Sequence, residues 1–430
     1  MGARMSRSFT RRDFLGGSVG AAGALHTAIG PATLVSRTAK APAPQAVAAT
    51  TTAITLPVTW RDRTLVLCTL YGGNDGLNTV VPYESSVYKS IRGGITIGEG
   101  QAQPIGTVDN DKLGLHPALV GLKSLWDQGQ VAIIMGVGYP NPNYSHFQSM
   151  EIMMSADPTG DSPTGWLGRW LDSSGSSPTR ALSVGSQLPQ VFSGSRQQGS
   201  TLADSTNPGT QQPDGDAHFI RAYAQCQHLF HRETELEAAI AQSGTNLLVV
   251  GSKAASALNS QQPPKPVTQN DAGDIGTQLD VVAELIKAGL PTKAYGVSAS
   301  SFDTHAGQLQ AQGQLLSQLD AGVQNFMSAF PQGSHGLSPV ILIYSEFGRR
   351  PESNSSGGTD HGSANLVIAV GPSVKGGFYG HMQSLRRLDD LGNFVYTTDI
   401  RRVYATVLEH IMGVSPRDFV GGHAPLGFLH

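Results

Sequence analysis

The chain has 430 residues, of which 39% are hydrophobic and only 14% charged, with 52 glycines. Its 29 basic and 32 acidic residues give a formal net charge of −3, which argues against a nucleic-acid partner, since that needs a basic face. Abundant glycine with few charges describes a loop-rich folded protein rather than a disordered one.

The first element in chain order is an address. Thr10-Arg11-Arg12-Asp13-Phe14-Leu15 is a twin-arginine pattern, and a Gly/Ala-rich apolar stretch runs from Phe14 to about Ile29. That stretch is too short and too weakly apolar to span a bilayer, so it reads as the h-region of an export signal. The expected partner is the twin-arginine export machinery, and the expected location is periplasmic or secreted. Ala39-Lys40-Ala41 and Ala46-Val47-Ala48 both suit cleavage. Residues 1–48 are therefore set aside as signal and linker. They contain Arg4, Arg7, Arg11, Arg12, Arg37 and Lys40 against the single acid Asp13, so the mature chain is more acidic than the whole. No membrane span is expected in it. Cys68 sits in an apolar run and reads as a small core residue, and a disulfide to Cys226 is open to an exported chain.

The folded domain is expected over 60–430. Thr64–Leu70, Val131–Val137, Ala294–Ser298, Val340–Tyr344 and Leu366–Val370 are nearly continuous apolar runs, the pattern of strands covered on both faces. Helical stripes lie between and after them. Leu115, Leu119, Leu122 and Trp126 share a face, with Pro117 early in the helix. Leu279–Leu290 and Leu309–Phe330 form two more. Ile400–Ile411 forms the last, capped by Asp399 and ended by Gly413. Strands alternating with helices predict an α/β fold, a three-layer α/β/α sandwich with a mostly parallel sheet. Ser173–Pro178 and Gln197–Gly215 are rich in Ser, Gly, Gln and Pro, so 160–275 reads as a helical insertion or cap.

The chemistry concentrates in short motifs where strands end, which is where open parallel sheets bind ligands. Asn74-Asp75-Gly76 follows the first strand, and Asp303-Thr304-His305 follows Ala294–Ser298. Ser345-Glu346-Phe347-Gly348-Arg349 follows Val340–Tyr344, and Thr359-Asp360-His361-Gly362 precedes Leu366. Carboxylate and imidazole suit zinc, manganese or a similar divalent ion. Asp75, Asp303, His305, Asp360 and His361 are the candidate ligands for one or two ions, and Asn78, His116, His146 and Glu346 are further candidates. Ser145, at the start of a helix running to Met154, is the candidate nucleophile, and Arg349 or Arg350 a group to neutralise an anion. Plainer roles stand beside these. Asp75 suits a tight turn, and Asp303 or Thr304 an N-cap. Glu346 and Arg349 suit a structural ion pair, Ser145 a helix cap, and His116 a loop or cap.

These motifs resemble a family. Leu70–Asn78, His116-Pro117-Ala118-Leu119, Tyr144-Ser145-His146-Phe147 and the three later motifs are similar, in order over 60–430, to the family known as domain of unknown function 1501. That family is similar in turn to the alkaline-phosphatase-like superfamily, which includes sulfatases. The resemblance implies an α/β/α sandwich with a two-metal site. Asp75, Ser145, Asp360 and His361 would surround one ion, and Asp303 and His305 the other. Three departures stand out. Asp303 and His305 are closer together than in the superfamily, and its last His ligand has only His381 or His423 as counterparts. The Cys-x-Pro-x-Arg signature of sulfatases is missing, which argues against ordinary sulfatase chemistry. The expected function is an exported metal-dependent hydrolase of phosphate or sulfate esters. The partner would be a small anionic ester or a surface polymer. The alternative is a non-catalytic exported binding protein on a degenerate hydrolase fold.

Overall fold

The computed structural model describes residues 63–185, 187–202, 246, 249–256, 258, 274–331 and 336–430. The export signal, Cys226 and most of 203–273 lie outside the described residues.

Among the described residues, twelve strands number in chain order. β1 is Arg63–Leu70, β2 Val80–Val81, β3 Gln103–Val108, β4 Asp111–Leu115, β5 Val131–Gly138 and β6 Ala181–Val184. β7 is Ser200–Leu202, β8 Ala294–Ala299, β9 Ser338–Tyr344, β10 Asn365–Val370, β11 Gly377–Gly380 and β12 Thr398–Asp399. Nine form one sheet in the order β11-β5-β10-β9-β1-β8-β6-β7, with β12 beside β5. Every pairing in it is parallel except those of β10 with β5 and β9. β10 therefore runs against the rest, and its first residues lie at the edge where β5, β9, β1 and β8 end. β2, β4 and β3 make a small antiparallel sheet beside the main one.

The alternation of β1 divides the core. Val66, Cys68 and Leu70 pack on one face with the helices Val120–Asp127, Ile275–Lys287 and Gln308–Ser328. Leu65 and Leu67 pack on the other with His146–Ser155, Trp166–Ser173 and Ile400–Val407. Both faces are covered, so a mostly parallel sheet can be apolar throughout. The protein is an α/β/α sandwich. Cys68 is a free, fully buried thiol, and burial pushes its pKa up to about 12.

Several expectations change in detail. Leu115 belongs to β4, and the helix starts only at Val120. The chain is drawn into the small sheet there by the His116 N–H, which donates to the Thr79 carbonyl at 2.9 Å. The long helix begins after Gly307, so neither Asp303 nor Thr304 is its N-cap. The 160–275 segment is not simply an insertion, because β6 pairs with β8 and β7 with β6 at the sheet's edge. Asp399 caps the Ile400–Val407 helix by accepting from the Arg401 N–H at 2.9 Å, Gly413 ends it at φ 69 after a π turn, and a further short helix, Arg417–Val420, follows.

Candidate metal centre

The sheet's carboxyl edge collects the polar motifs. After β1, Gly72 and Gly73 take φ values of 116 and 73, open to glycine but strained for other residues. A Cβ on Gly72 would come within 2.4 Å of the Asp303 nitrogen, and one on Gly73 within 2.3 Å of the Phe347 ring. The turn can therefore press directly on the loops after β8 and β9.

Arg349 binds those loops together. Its side chain is fully buried, and its Nε donates to the Gly73 carbonyl at 2.7 Å. Nη1 donates to the Thr359 carbonyl at 2.7 Å, and Nη2 donates to the Gly72 and Phe302 carbonyls. Nη2 also meets Asp303 Oδ1 at 2.5 Å. With its donors so engaged, Arg349 orients Asp303 and does not face a ligand. Arg350, next along, is exposed.

Four side chains converge in front of this brace. Ligand atoms of His146, Asp303 and His361 lie within 4.8 Å of one another. His361 Nε2 is 3.1 Å from Asp303 Oδ1, and His146 Nε2 is 3.5 Å from Asp303 Oδ2. His305 Nε2 joins them at 3.0 Å from Asp303 Oδ1 and 3.0 Å from His361 Nε2. Each imidazole is fixed from behind. His361 Nδ1 meets the Tyr144 carbonyl at 2.8 Å, His146 Nδ1 the buried Glu346 carboxylate at 2.7 Å, and His305 Nδ1 Asp360 at 3.1 Å. These partners can only accept, so each Nδ1 carries a proton, and in its neutral form each ring turns an Nε2 lone pair forward. Bare nitrogens 3.0 Å apart repel unless a cation or proton lies between them. Separations of 3.0 to 3.5 Å suit adjacent ligands around one ion with bonds of about 2.0–2.2 Å. Acceptors behind metal-bound histidines are the usual means of fixing their orientation. The residues present could therefore hold a divalent ion.

Charge agrees with this. Burial works against ionising Asp303, but the hydrogen bond and charge of Arg349 outweigh it and hold the carboxyl down at about 2. Asp360 is also held below the usual carboxylate range, first by its hydrogen bond from Asn354. The Phe347 ring packs against His146 and His361, with centroids 5.0 and 4.8 Å away. Glu346 is fixed by the Gly72 N–H at 2.8 Å and the Ser345 hydroxyl at 2.9 Å.

Asp75 has a different place from the one its motif predicts. It is the N-cap of the short helix Gly76–Thr79, accepting from the Leu77 and Asn78 N–H groups at 3.0 and 3.2 Å. Arg92 grips both carboxylate oxygens, at 2.6 and 2.9 Å, and Gln308 Nε2 donates at 2.5 Å. These five donors fill the roughly four lone-pair directions of a carboxylate, which leaves none for a metal. The Gln308 amide oxygen accepts from Thr304 and Thr359, the residues beside the ligand-bearing positions. Asp75 thus anchors the two loops from beneath. Asn78 is likewise structural, donating to the Ile95 carbonyl and accepting from Tyr88.

Ser145 is exposed at the N-cap of His146–Ser155, and its hydroxyl makes no cap bond. The peptide carrying it lies between Tyr144, which holds His361, and His146 itself. His116 stands apart from the centre and accepts from the Ala118 N–H at 3.0 Å. Burial lowers its pKa from 6.5 to about 4, and the Asp75 charge opposes that shift only in part. A histidine whose folded pKa lies below its unfolded one stabilises the fold above the unfolded pKa and loses that contribution as pH falls toward the folded one. Unfolding free energy is therefore expected to drop by about 3 kcal/mol through this residue between pH 6.5 and 4. His116→Asn should flatten that part of a urea stability-pH profile. An unchanged slope would remove His116 as the cause.

Arg92, Gln308, Asn354 and the Tyr144 carbonyl escaped the motif reading. Arg92 lies 17 residues from Asp75, on a helix whose pattern gives no sign of chemistry. A carbonyl has no residue type to betray it.

No curated protein matches the chain. Among solved structures it is similar to the C-terminal periplasmic domain of EcEptC from Escherichia coli, at 11% identity and a TM-score of 0.38, over 84% of this chain and 86% of that one. It is also similar to the Streptococcus pyogenes phosphoglycerol transferase GacH, at 9% identity and a TM-score of 0.38, over 84% and 78%. Alkaline phosphatase from the Antarctic bacterium TAB5 is another, at 9% identity and a TM-score of 0.32, over 72% and 92%. Likenesses this weak carry no weight on their own. The sequence family is a firmer match: its model covers residues 62–426, and the chain belongs to the family described as protein of unknown function DUF1501.

Proposed function

We propose that this chain is an exported hydrolase of phosphate or sulfate esters that works with one divalent metal ion. The supporting observation is the convergence of three imidazole Nε2 atoms on the Asp303 carboxylate, each ring fixed from behind by an acceptor. His146, Asp303, His305 and His361 would hold the ion. When bound, it supplies Lewis-acid polarisation of an ester oxygen. Ser145, exposed at a helix N-terminus beside His146, would attack phosphorus or sulfur as the bond to the ester's alcohol oxygen breaks; its proton would leave with the departing alcohol, water would then hydrolyse the seryl ester, and the helix end favours the anion's charge. Export rests on the twin-arginine leader. Among the described residues no helix is long and apolar enough to cross a membrane.

Elemental analysis of the purified protein tests the reading. About one transition-metal ion per chain is expected, and Asp303→Ala should lose it while keeping its fold. A metal-free wild-type chain, even after incubation with zinc and manganese, would sink the proposal. One observation favours the rival reading, a binding protein on a degenerate hydrolase fold. Asp75, a ligand by the superfamily resemblance, is saturated by Arg92 and Gln308. A metal-bound chain that turns over no ester would favour that rival.

A further inference from the structure

A second concavity opens at the same sheet edge. It has a volume of about 230 Å³ and lies over the ends of β1, β8 and β6, beneath the segment that follows β6. A concavity beyond the carboxyl ends of the strands is where open α/β sheets bind ligands. Its walls alternate in kind. Leu67 and Phe192 are apolar, while Tyr71, Ser183, Ser298 and Gln187 bring neutral polar groups. Among the described residues no Asp, Glu, Lys, Arg or His lines it. Tyr71 stays protonated, because burial and then the Glu346 charge push its pKa up to about 12. Among the described residues the hydroxyls of Tyr71 and Ser298 make no hydrogen bond, although Gln278 pins the Ser298 backbone at both its N–H and its carbonyl. Unpaired neutral hydroxyls above an apolar floor suit a ligand with an apolar face and several hydroxyls. An ionic group would find no counter-charge.

The cavity adjoins the metal centre through the chain itself. The Tyr71 carbonyl accepts from the Phe302 N–H at 3.1 Å, next to Asp303. The following residue, Gly72, holds Glu346, which holds His146. We propose that this cavity seats the uncharged, hydroxyl-bearing part of the ester, a glycerol or single-sugar unit, while the ester group faces the metal centre. The assignment of the ligand as part of an ester rests on the hydrolase reading. The presence of a polyol site does not.

Saturation-transfer NMR on the full exported chain, with glycerol and glucose as separate probes, tests it. Transfer to at least one probe is expected, and which one responds distinguishes glycerol from sugar. Tyr71→Phe should weaken binding about five-fold by removing one hydrogen bond, and Ser298→Leu should abolish it by filling the space. Asp303→Ala, expected to lack metal, should bind the probe as the wild type does, so failure of the metal reading would leave this result standing. No transfer to either probe would overturn the proposal, as would transfer unchanged in Tyr71→Phe. The Tyr71 variant decides the matter even where Ser298→Leu fails to fold.

Discussion

Arg92→Ala is expected to cost about 3–5 kcal/mol of unfolding free energy, the range for breaking a buried ion pair by removing one partner. Arg92 is fully buried and Asp75 is 1% exposed, so no water replaces the lost guanidinium. The Asp75 carboxylate would remain charged with only two backbone N–H groups and Gln308 to stabilise it. The cost is that of an orphaned charge, not of a strong bond. Asp75→Asn together with Arg92→Met should therefore be less destabilising than Arg92→Ala alone, since the two charges leave together. Urea unfolding of the three variants measures this. A loss below about 1 kcal/mol for the single variant would mean that water reaches the pair, and Asp75 would again be open to a metal.

The Asp75–Arg92 pair also shows where motif reading stops. Asn74-Asp75-Gly76 announces a carboxylate at a strand end, and the carboxylate is there. What it does depends on Arg92 and Gln308, which come from helices with no local relation to it. Asp303, His305, Asp360 and His361 stand out in sequence because an acid and an imidazole at adjacent or alternate positions of a loop serve little packing purpose. Their proximity depends on topology: β10 is antiparallel, so its leading residues meet the trailing ends of β8 and β9. Arg349 differs from its expected role for a simpler reason. A conspicuous cation beside a site can serve the loops' carbonyls instead of the ligand, and only burial distinguishes the two.

The fold was more legible than the site, because continuous apolar runs report burial on both faces whatever the partner strand is. β1, β5, β8, β9 and β10 all come from such runs, with ends displaced by a residue or two. β6 and β7 are short, lie between Ser- and Gly-rich stretches, and so leave a weak period in the sequence. That is why an edge of the sheet reads as an insertion. Leu115 fits a helical stripe as well as it fits β4, so the sequence pattern starts the helix after His116 too early. The choice was made by a backbone bond to Thr79, which no side-chain pattern records.

Ser145→Ala is expected to reduce turnover of whichever ester the protein cleaves by about 10³-fold or more, with metal content unchanged. An N-cap serine usually contributes about 1 kcal/mol, but this hydroxyl makes no cap bond, so the substitution should change stability by only about a few tenths of a kcal/mol. Lost turnover with unchanged stability is therefore a clean readout of chemistry. The substrates to screen are p-nitrophenyl phosphate, bis(p-nitrophenyl) phosphate and p-nitrophenyl sulfate, with wild type, Ser145→Ala and Asp303→Ala run together. If Asp303→Ala loses both metal and turnover while Ser145→Ala retains its rate, the attacking group is water and Ser145 is only a neighbour. If Ser145→Ala alone loses turnover and keeps its metal, the serine between Tyr144 and His146 is the nucleophile. The helix that presents it then serves the site twice, as the Tyr144 carbonyl at its entry holds His361 and its first residue, His146, faces Asp303.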